Sequence, residues 1–279
     1  MNTDAVILEK LKKVELDILR QFIDVCEKLG LKWFMLYGSC LGTVRHHGFI
    51  PWDDDIDVGL MRDDYEIFLE KAPSLLPENY FLQNAKTDPD YSMNFAKIRR
   101  SDTAFIEKTV KNFNINHGIY IDIFPITEYR PSKIFDIKSK FYDLCIDKAY
   151  NYENRGSLPK RAVKGFLGSF IKNYRVARDK KEKFFRKSER KGTGIVATFC
   201  GFWGKGENMP KEIFDTVEKM PFENLEVNVP GKWDEYLTLL YGDYMTLPPE
   251  EKRVTHHYTE IIDPEKSYKE YIKETEVRK

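Results

Sequence analysis

Cysteine is scarce in this chain of 279 residues: Cys26, Cys40, Cys145 and Cys200 are scattered, and no two form a CxxC pair. That spacing excludes a zinc ribbon and a disulfide framework, and it fits a reducing compartment. Net charge is missing as well. With 45 Lys+Arg against 45 Asp+Glu, no global field draws the chain to nucleic acid, so no nucleic-acid partner is expected. Long apolar runs are absent too, since nothing approaches the roughly 18 residues of a membrane span. The opening MNTDAVILEKLKKVELDILR is charged throughout and lacks the apolar core of a secretion signal. A cytoplasmic protein is expected. No internal repeat or low-complexity tract interrupts the chain, and 42% apolar residues suffice for a proper core.

What is present reads as alternating helices and strands. Leu11, Val14, Ile18, Phe22, Val25 and Leu29 recur at steps of three and four, so residues 4–29 are expected to form an amphipathic helix stopped by Gly30. LKWFMLYG is a short apolar strand, 39–47 a helix, and DDIDVGLM a second strand over 55–60. RDDYEIFLEKAP is a helix closed before Pro73. YFLQNA, NFAKIRR, TAFIE and GIYIDIFPI are further strands, and 131–150 resumes helical spacing. The strand-rich centre lies between about residues 32 and 126.

Within it, Asp53, Asp54, Asp55 and Asp57 crowd into five positions between apolar runs. On a strand over 55–60, alternation puts Asp55 and Asp57 on one face and Ile56 and Val58 on the other. Two carboxylates side by side repel unless a cation joins them. Mg2+ suits one or two carboxylates plus substrate phosphates. Asp122 is a lone carboxylate in the apolar strand GIYIDIFPI, where an unpaired charge is costly. A neighbouring strand bringing it beside Asp55 and Asp57 would complete a three-carboxylate metal site. Gly38-Ser39 stands between a strand and a helix, where close backbone approach, free N–H groups and a hydroxyl suit a phosphate. Together these features point to metal-assisted transfer of a phosphorus group.

Asp53, Asp55 and Asp57 match positions 1, 3 and 5 of a calcium loop, but the glycine falls late and position 12 is Asp64 rather than Glu. No spacing rule unites His46, His47, His256 and His257 into a zinc site. Cys40 beside the Gly-Ser turn is expected to pack in the core.

The run YGSCLGTVRHHGFIPWDDDIDVGL, with FAKIRRSDT, IDIFP and the closing YGDYMTLPPEEKRVTHH, resembles the LicD family, which includes fukutin-type relatives. The resemblance implies the nucleotidyltransferase fold shared with polymerase β-type enzymes, an α/β mixed sheet flanked by helices. It also implies transfer of phosphocholine from CDP-choline to a sugar hydroxyl of a lipid-linked glycan precursor, teichoic acid or lipopolysaccharide, with CMP leaving; the alternatives are transfer of another polyol phosphate from a CDP-alcohol and nucleotidyl transfer to a small-molecule hydroxyl. Asp55, Asp57 and Asp122 would be the catalytic carboxylates and hold Mg2+, or Mn2+. Asp55 and Asp57 rank above Asp53. Gly38, Ser39, Arg45, Lys97, Arg99, Trp52 and His256 are expected to bind substrate. Lys97 and Arg99 share a strand face as a second phosphate clamp. Tyr37, Trp52, Tyr91, Tyr120 and Trp203 are candidates for an aromatic choline pocket.

Composition shifts after residue 150. From Arg155 to Lys191 there are 14 Lys/Arg against 3 Asp/Glu, interleaved with phenylalanines. The expected organisation is a catalytic core over 1–150 with its N-terminal helix. A helical, basic acceptor-side region over 151–279 packs back on it. A solvated helix face is the plain reading of the basic stretch; contact with an anionic membrane at the inner face of the plasma membrane is the functional one.

Overall fold

The computed structural model describes residues 3–147, 171, 173–199, 207–255 and 257–272. Helix α1 (Thr3–Leu29) lays Leu11, Ile18, Leu19, Phe22 and Val25 into the core, each 0–1% exposed. It ends where Gly30 takes φ 64°, and Leu31 N donates to Cys26 O at 2.9 Å. A glycine in the left-handed region closes a helix without a Cβ penalty. Strand β1 (Trp33–Met35) leads into α2 (Tyr37–His46), then β2 (Asp57–Met61) and α3 (Arg62–Lys71). Then come β3 (Tyr80–Gln83), β4 (Ala96–Arg100), β5 (Ala104–Glu107) and β6 (Ile119–Glu128).

All ten residues of β6 are buried, and the main sheet is built around it. The order is β1-β2-β6-β4-β3, with β2 parallel to β6 and the remaining neighbours antiparallel. Helix α4 (Lys133–Asp147) and helix α5 (Tyr174–Ser188) pair outside this sheet through Phe135, Phe184 and Phe185. Strand β7 (Ile195–Ala197) then returns to the far end of β6, with β8 (Met209–Pro210) beside it. A hairpin of β9 (Val217–Phe222) and β10 (Leu225–Pro230) precedes α6 (Trp233–Tyr241). Strand β11 (Thr259–Asp263) pairs with β5.

The result is a mixed α/β sheet flanked by helices, as expected. Two details differ. TAFIE forms a strand, but its partner is β11 in a separate small sheet, because β6 already carries β4 on that side. The second strand begins at Asp57 rather than Asp55. The stretch before it is spent on turning back from α2, where Asp53 N donates to Ile50 O at 2.9 Å.

Candidate active site

The parallel register of β2 on β6 sets Asp57 directly beside Asp122, and β4 sets Lys97 on the other side of Asp122. Three adjacent strands therefore present carboxylate, carboxylate and ammonium in a row. Pairing extends one residue before β2, since Asp122 N donates to Ile56 O at 2.8 Å. Ile56 and Val58 are fully buried, so strand alternation turns Asp57 away from the apolar layer they enter. Lys97 Nζ lies 2.7 Å from Asp122 Oδ1 and 3.3 Å from the centre of the Tyr120 ring. Burial lowers the proton affinity of Lys97, with Asp122 opposing that loss. Asp57 is pushed well above the usual carboxylate range, first by burial and then by repulsion from Asp55 and Asp122.

Helix α2 is tied to this row at its first turn. Leu36 N donates to Asp57 O at 2.9 Å, and Asp57 N donates to Ser39 Oγ at 2.8 Å. Tyr37 takes φ 44°, and its N–H donates to the Tyr236 hydroxyl at 3.0 Å. Gly38 faces the aspartates so closely that a Cβ there would meet Asp53 Oδ2 at 2.8 Å. Ser39 is thus an anchor for Asp57, and its hydroxyl proton remains available to a second acceptor.

The aspartates before β2 form a second focus. Among the described residues, one carboxylate oxygen from each of Asp53, Asp54 and Asp55 lies within 4.8 Å of the other two. Asp53 is raised to about 8 by burial and by the charges of Asp55 and Asp54. Asp55 is raised by burial, with His257 opposing. Asp54 is buried and accepts from His257 Nδ1 at 3.1 Å. Burial opposes charge on His257, but the Asp54 hydrogen bond and Asp55 outweigh it and hold the imidazole up at about 9.

Arg45 turns away from the row, donating to Tyr244 O at 2.6 Å and His46 Nε2 at 3.0 Å. Arg99 shares the Lys97 face, but its guanidinium is buried and committed to Gln83 Oε1 at 2.6 Å and Gly118 O at 2.7 Å. Those bonds use two of its five N–H donors, and the residue is 2% exposed. Trp52 is half-buried, with the Arg253 guanidinium 5.6 Å from its ring. His256 and Trp203 lie outside the described residues. In the basic stretch, Lys181 is buried against Asp143 at 2.6 Å, and Arg186 reaches Glu66 and Glu182. Lys180, Lys183 and Lys187 are exposed.

The sequence left the choice between His256 and His257 open and did not single out Asp54 within the aspartate run; Glu15 was not among its candidates. His257 follows His256 in the sequence, and it is His257 that donates to Asp54, just before the tail pairs with β5. Glu15 carried a signal: it stands four residues after Leu11 and three before Ile18, on the apolar face of α1.

Residues 30–161 match the family described as LicD/FKTN/FKRP, nucleotidyltransferase domain. The lipopolysaccharide cholinephosphotransferase LicD of Haemophilus influenzae is 30% identical over 263 residues, 91% of this chain and 97% of that protein. The chain belongs to the LicD family. More distant LicD-family similarity reaches the ribitol 5-phosphate transferase FKRP of Mus musculus, 24% identical over 160 residues, 56% of this chain and 28% of that protein. The human FKRP is 30% identical over 104 residues, 36% of this chain and 20% of its own length. As a homologue of the LicD cholinephosphotransferase along nearly its whole length, the chain is a transferase of the LicD type. The row of Asp57, Asp122 and Lys97, the α2 turn and the aspartate loop all fall inside the stretch matched to the LicD domain. Glu15 and His257 fall outside it.

Proposed function

We propose that this chain transfers phosphocholine from CDP-choline to a sugar hydroxyl of a cell-surface glycan precursor. The observation that carries the reading is the strand register that aligns Asp57, Asp122 and Lys97 beside the Gly38-Ser39 turn, in a chain of which 91% aligns with a cholinephosphotransferase.

The side chains fit a divalent cation. Asp122 has Lys97 and Asp54 has His257, while Asp53, Asp55 and Asp57 are raised first by burial and then by neighbouring carboxylates, and one oxygen each of Asp53, Asp54 and Asp55 converges within 4.8 Å. Asp55, Asp57 and Asp122 would hold Mg2+ or Mn2+, which when bound neutralises charge on the donor diphosphate. The Gly38-Ser39 turn offers close backbone approach and the Ser39 hydroxyl to a phosphate oxygen. Lys97 steadies Asp122 and stands within the same row to meet phosphoryl charge. Asp122 takes the proton of the acceptor hydroxyl as that oxygen bonds to the phosphorus of phosphocholine. The bond from that phosphorus to the bridging oxygen breaks, and CMP leaves with the electron pair.

A cleft behind the turn is lined by Tyr37, Phe214, Tyr236 and the buried carboxylate of Glu207. With about 10 Å³ of free space it holds no more than a water, and Glu207 already accepts from Thr198, so choline is not assigned to it. No described helix is long and apolar enough to cross a membrane. The exposed Lys180, Lys183 and Lys187 of α5, with Ile134 and Ile137 of α4 at 67% and 68% exposure, support contact with an anionic membrane surface on the cytoplasmic side.

The test is a thermal-shift titration against CDP-choline, CDP-ribitol, CTP and ATP, each with and without Mg2+, followed by product analysis. Metal-dependent stabilisation by CDP-choline, with CMP release on adding acceptor, is expected. A response to CDP-ribitol alone would replace choline with a polyol, the reading the FKRP similarity favours. Nucleotide appearing on the acceptor would refute CMP as the leaving group.

A further inference from the structure

Helix α2 begins on a residue whose backbone does not suit a helix start. Tyr37 takes φ 44°, a left-handed conformation that a bulky aromatic residue adopts only where its surroundings hold it there. Leu36 stands at the N-cap and makes no side-chain bond to the first turn, so the cap does not come from the neighbouring sequence. It comes from the other half of the chain. Tyr236, on the buried face of α6 and 2% exposed, accepts from Tyr37 N at 3.0 Å through its hydroxyl. The Tyr236 ring packs edge-on against Phe214 at 5.7 Å, where a phenylalanine would pack equally well. Burying the hydroxyl costs desolvation, and the bond from Tyr37 N is what offsets it. The Tyr37 side chain is held as well: Thr198 Oγ1 donates to Glu207 at 3.1 Å, which leaves the Tyr37 hydroxyl to donate to Thr198 Oγ1 at 2.5 Å. Cys40 N closes the turn onto Leu36 O at 2.9 Å, so Gly38 and Ser39 lie between two fixed points.

We infer that Tyr236 is a positioning residue for the transfer reaction: its hydroxyl holds Tyr37 in the left-handed backbone and so aims the Gly38-Ser39 turn at the donor diphosphate. This deepens the reading above and rests on it. The bond spans 199 positions, so a helix beyond the stretch matched to the LicD domain sets the geometry of the phosphate turn inside it. Without the hydroxyl, Tyr37 relaxes toward ordinary helical backbone, and the N–H groups of Gly38 and Ser39 swing off the direction in which they meet a phosphate oxygen. Asp57 stays in place through its pairing with Asp122 and through the bond from Leu36 N to its carbonyl. The loss therefore falls on donor binding and spares the carboxylates that act in the chemical step.

The experiment compares wild type, Tyr236→Phe and Leu237→Val in the full chain, reading KM and kcat for CDP-choline with Mg2+ and a thermal melt of each. Leu237→Val loosens the same buried face of α6 and keeps the hydroxyl. Tyr236→Phe is expected to raise KM about tenfold or more with kcat within about threefold of wild type. Leu237→Val is expected to lower the melting temperature and leave KM within about twofold. A KM within twofold in Tyr236→Phe would overturn the inference. So would an equal rise in both variants, which would trace the effect to α6 packing, or a Tyr236→Phe chain that does not fold, which would make the hydroxyl structural. Should wild type fail to turn over CDP-choline, the donor reading falls by itself, and calorimetric binding of magnesium pyrophosphate decides Tyr236 by the same limits. Should pyrophosphate not bind wild type either, the turn is no phosphate grip and both fall together.

Discussion

Replacing Asp57 by Asn should make the metal-free protein more stable while nearly abolishing turnover, two effects that a structural role would not combine. Asp57 and Asp122 are direct neighbours across parallel strands, a geometry that sets their side chains roughly 5 Å apart. Two unit charges at that separation repel by about 3 kcal/mol at an effective dielectric of about 20. The Lys97 ammonium beside Asp122 cancels the larger part of this, leaving about 1 kcal/mol for the amide to relieve. For a chain of this size that is a rise of about 2–4 °C in melting temperature. The backbone bonds of Asp57 to Leu36 and Ser39 do not involve its side chain and survive the change. Loss of one carboxylate from the cation site should cut kcat at least about a hundredfold, or about 2.7 kcal/mol. The assays are scanning calorimetry in EDTA and CMP release with CDP-choline and acceptor. A variant that turns over within threefold of wild type, or that melts lower in EDTA, would refute the reasoning.

Three further outcomes follow from the geometry. Ser39→Ala removes the acceptor for Asp57 N in a buried setting, so stability should fall by about 1–3 kcal/mol and metal affinity with it; unchanged calorimetry would count against the anchor. Lys97→Met leaves Asp122 buried and unpaired, costing about 3 kcal/mol, and adding Asp122→Asn should return most of that, as a double-mutant cycle by denaturant titration will read. Glu128 accepts from Lys211, Thr193 N and Gly194 N, and the Lys211 bond leads in lowering it to about 2. A lowered carboxylate stabilises above its ordinary value near 4.5 and loses that contribution as pH falls toward 2. Glu128→Gln should therefore melt below wild type at pH 6, with the gap closing by about pH 2; a gap independent of pH would exclude the charge as its source.

Local pattern and strand period suffice to foresee that Asp57 and Asp122 lie side by side, which is placement and not role. Asp57 and Asp122 were legible because a carboxylate inside an apolar strand has few packing excuses, and parallel pairing then puts both in one row. Asp55 was harder. Period-two reasoning extended the strand through it, but a strand start depends on where the preceding turn ends, and the Asp53–Ile50 bond holds that turn two residues longer. Arg45 and Arg99 illustrate a different limit. A basic residue near a phosphate motif serves the substrate or a carbonyl equally well on paper, and here Gly118 O and Tyr244 O are near enough to claim them. Lys181 and Arg186 are similar, since their acids come from α4, α3 and one turn back along α5. Glu15 was readable only against the helical period, as a polar residue at a core position.

The helix that carries Glu15 also bears on what counts as a folding unit in this family. The matched LicD domain begins at residue 30, after α1 has ended. Leu11, Ile18, Leu19, Phe22 and Val25 are each 0–1% exposed. Burial of such side chains contributes about 1.5–3 kcal/mol apiece, so the five together contribute about 7–15 kcal/mol. That is comparable with the whole net stability of an ordinary domain, about 5–15 kcal/mol. The stretch that defines the family by sequence is therefore not autonomous. Trimmed to its matched boundaries, it would lose the cover of its own sheet.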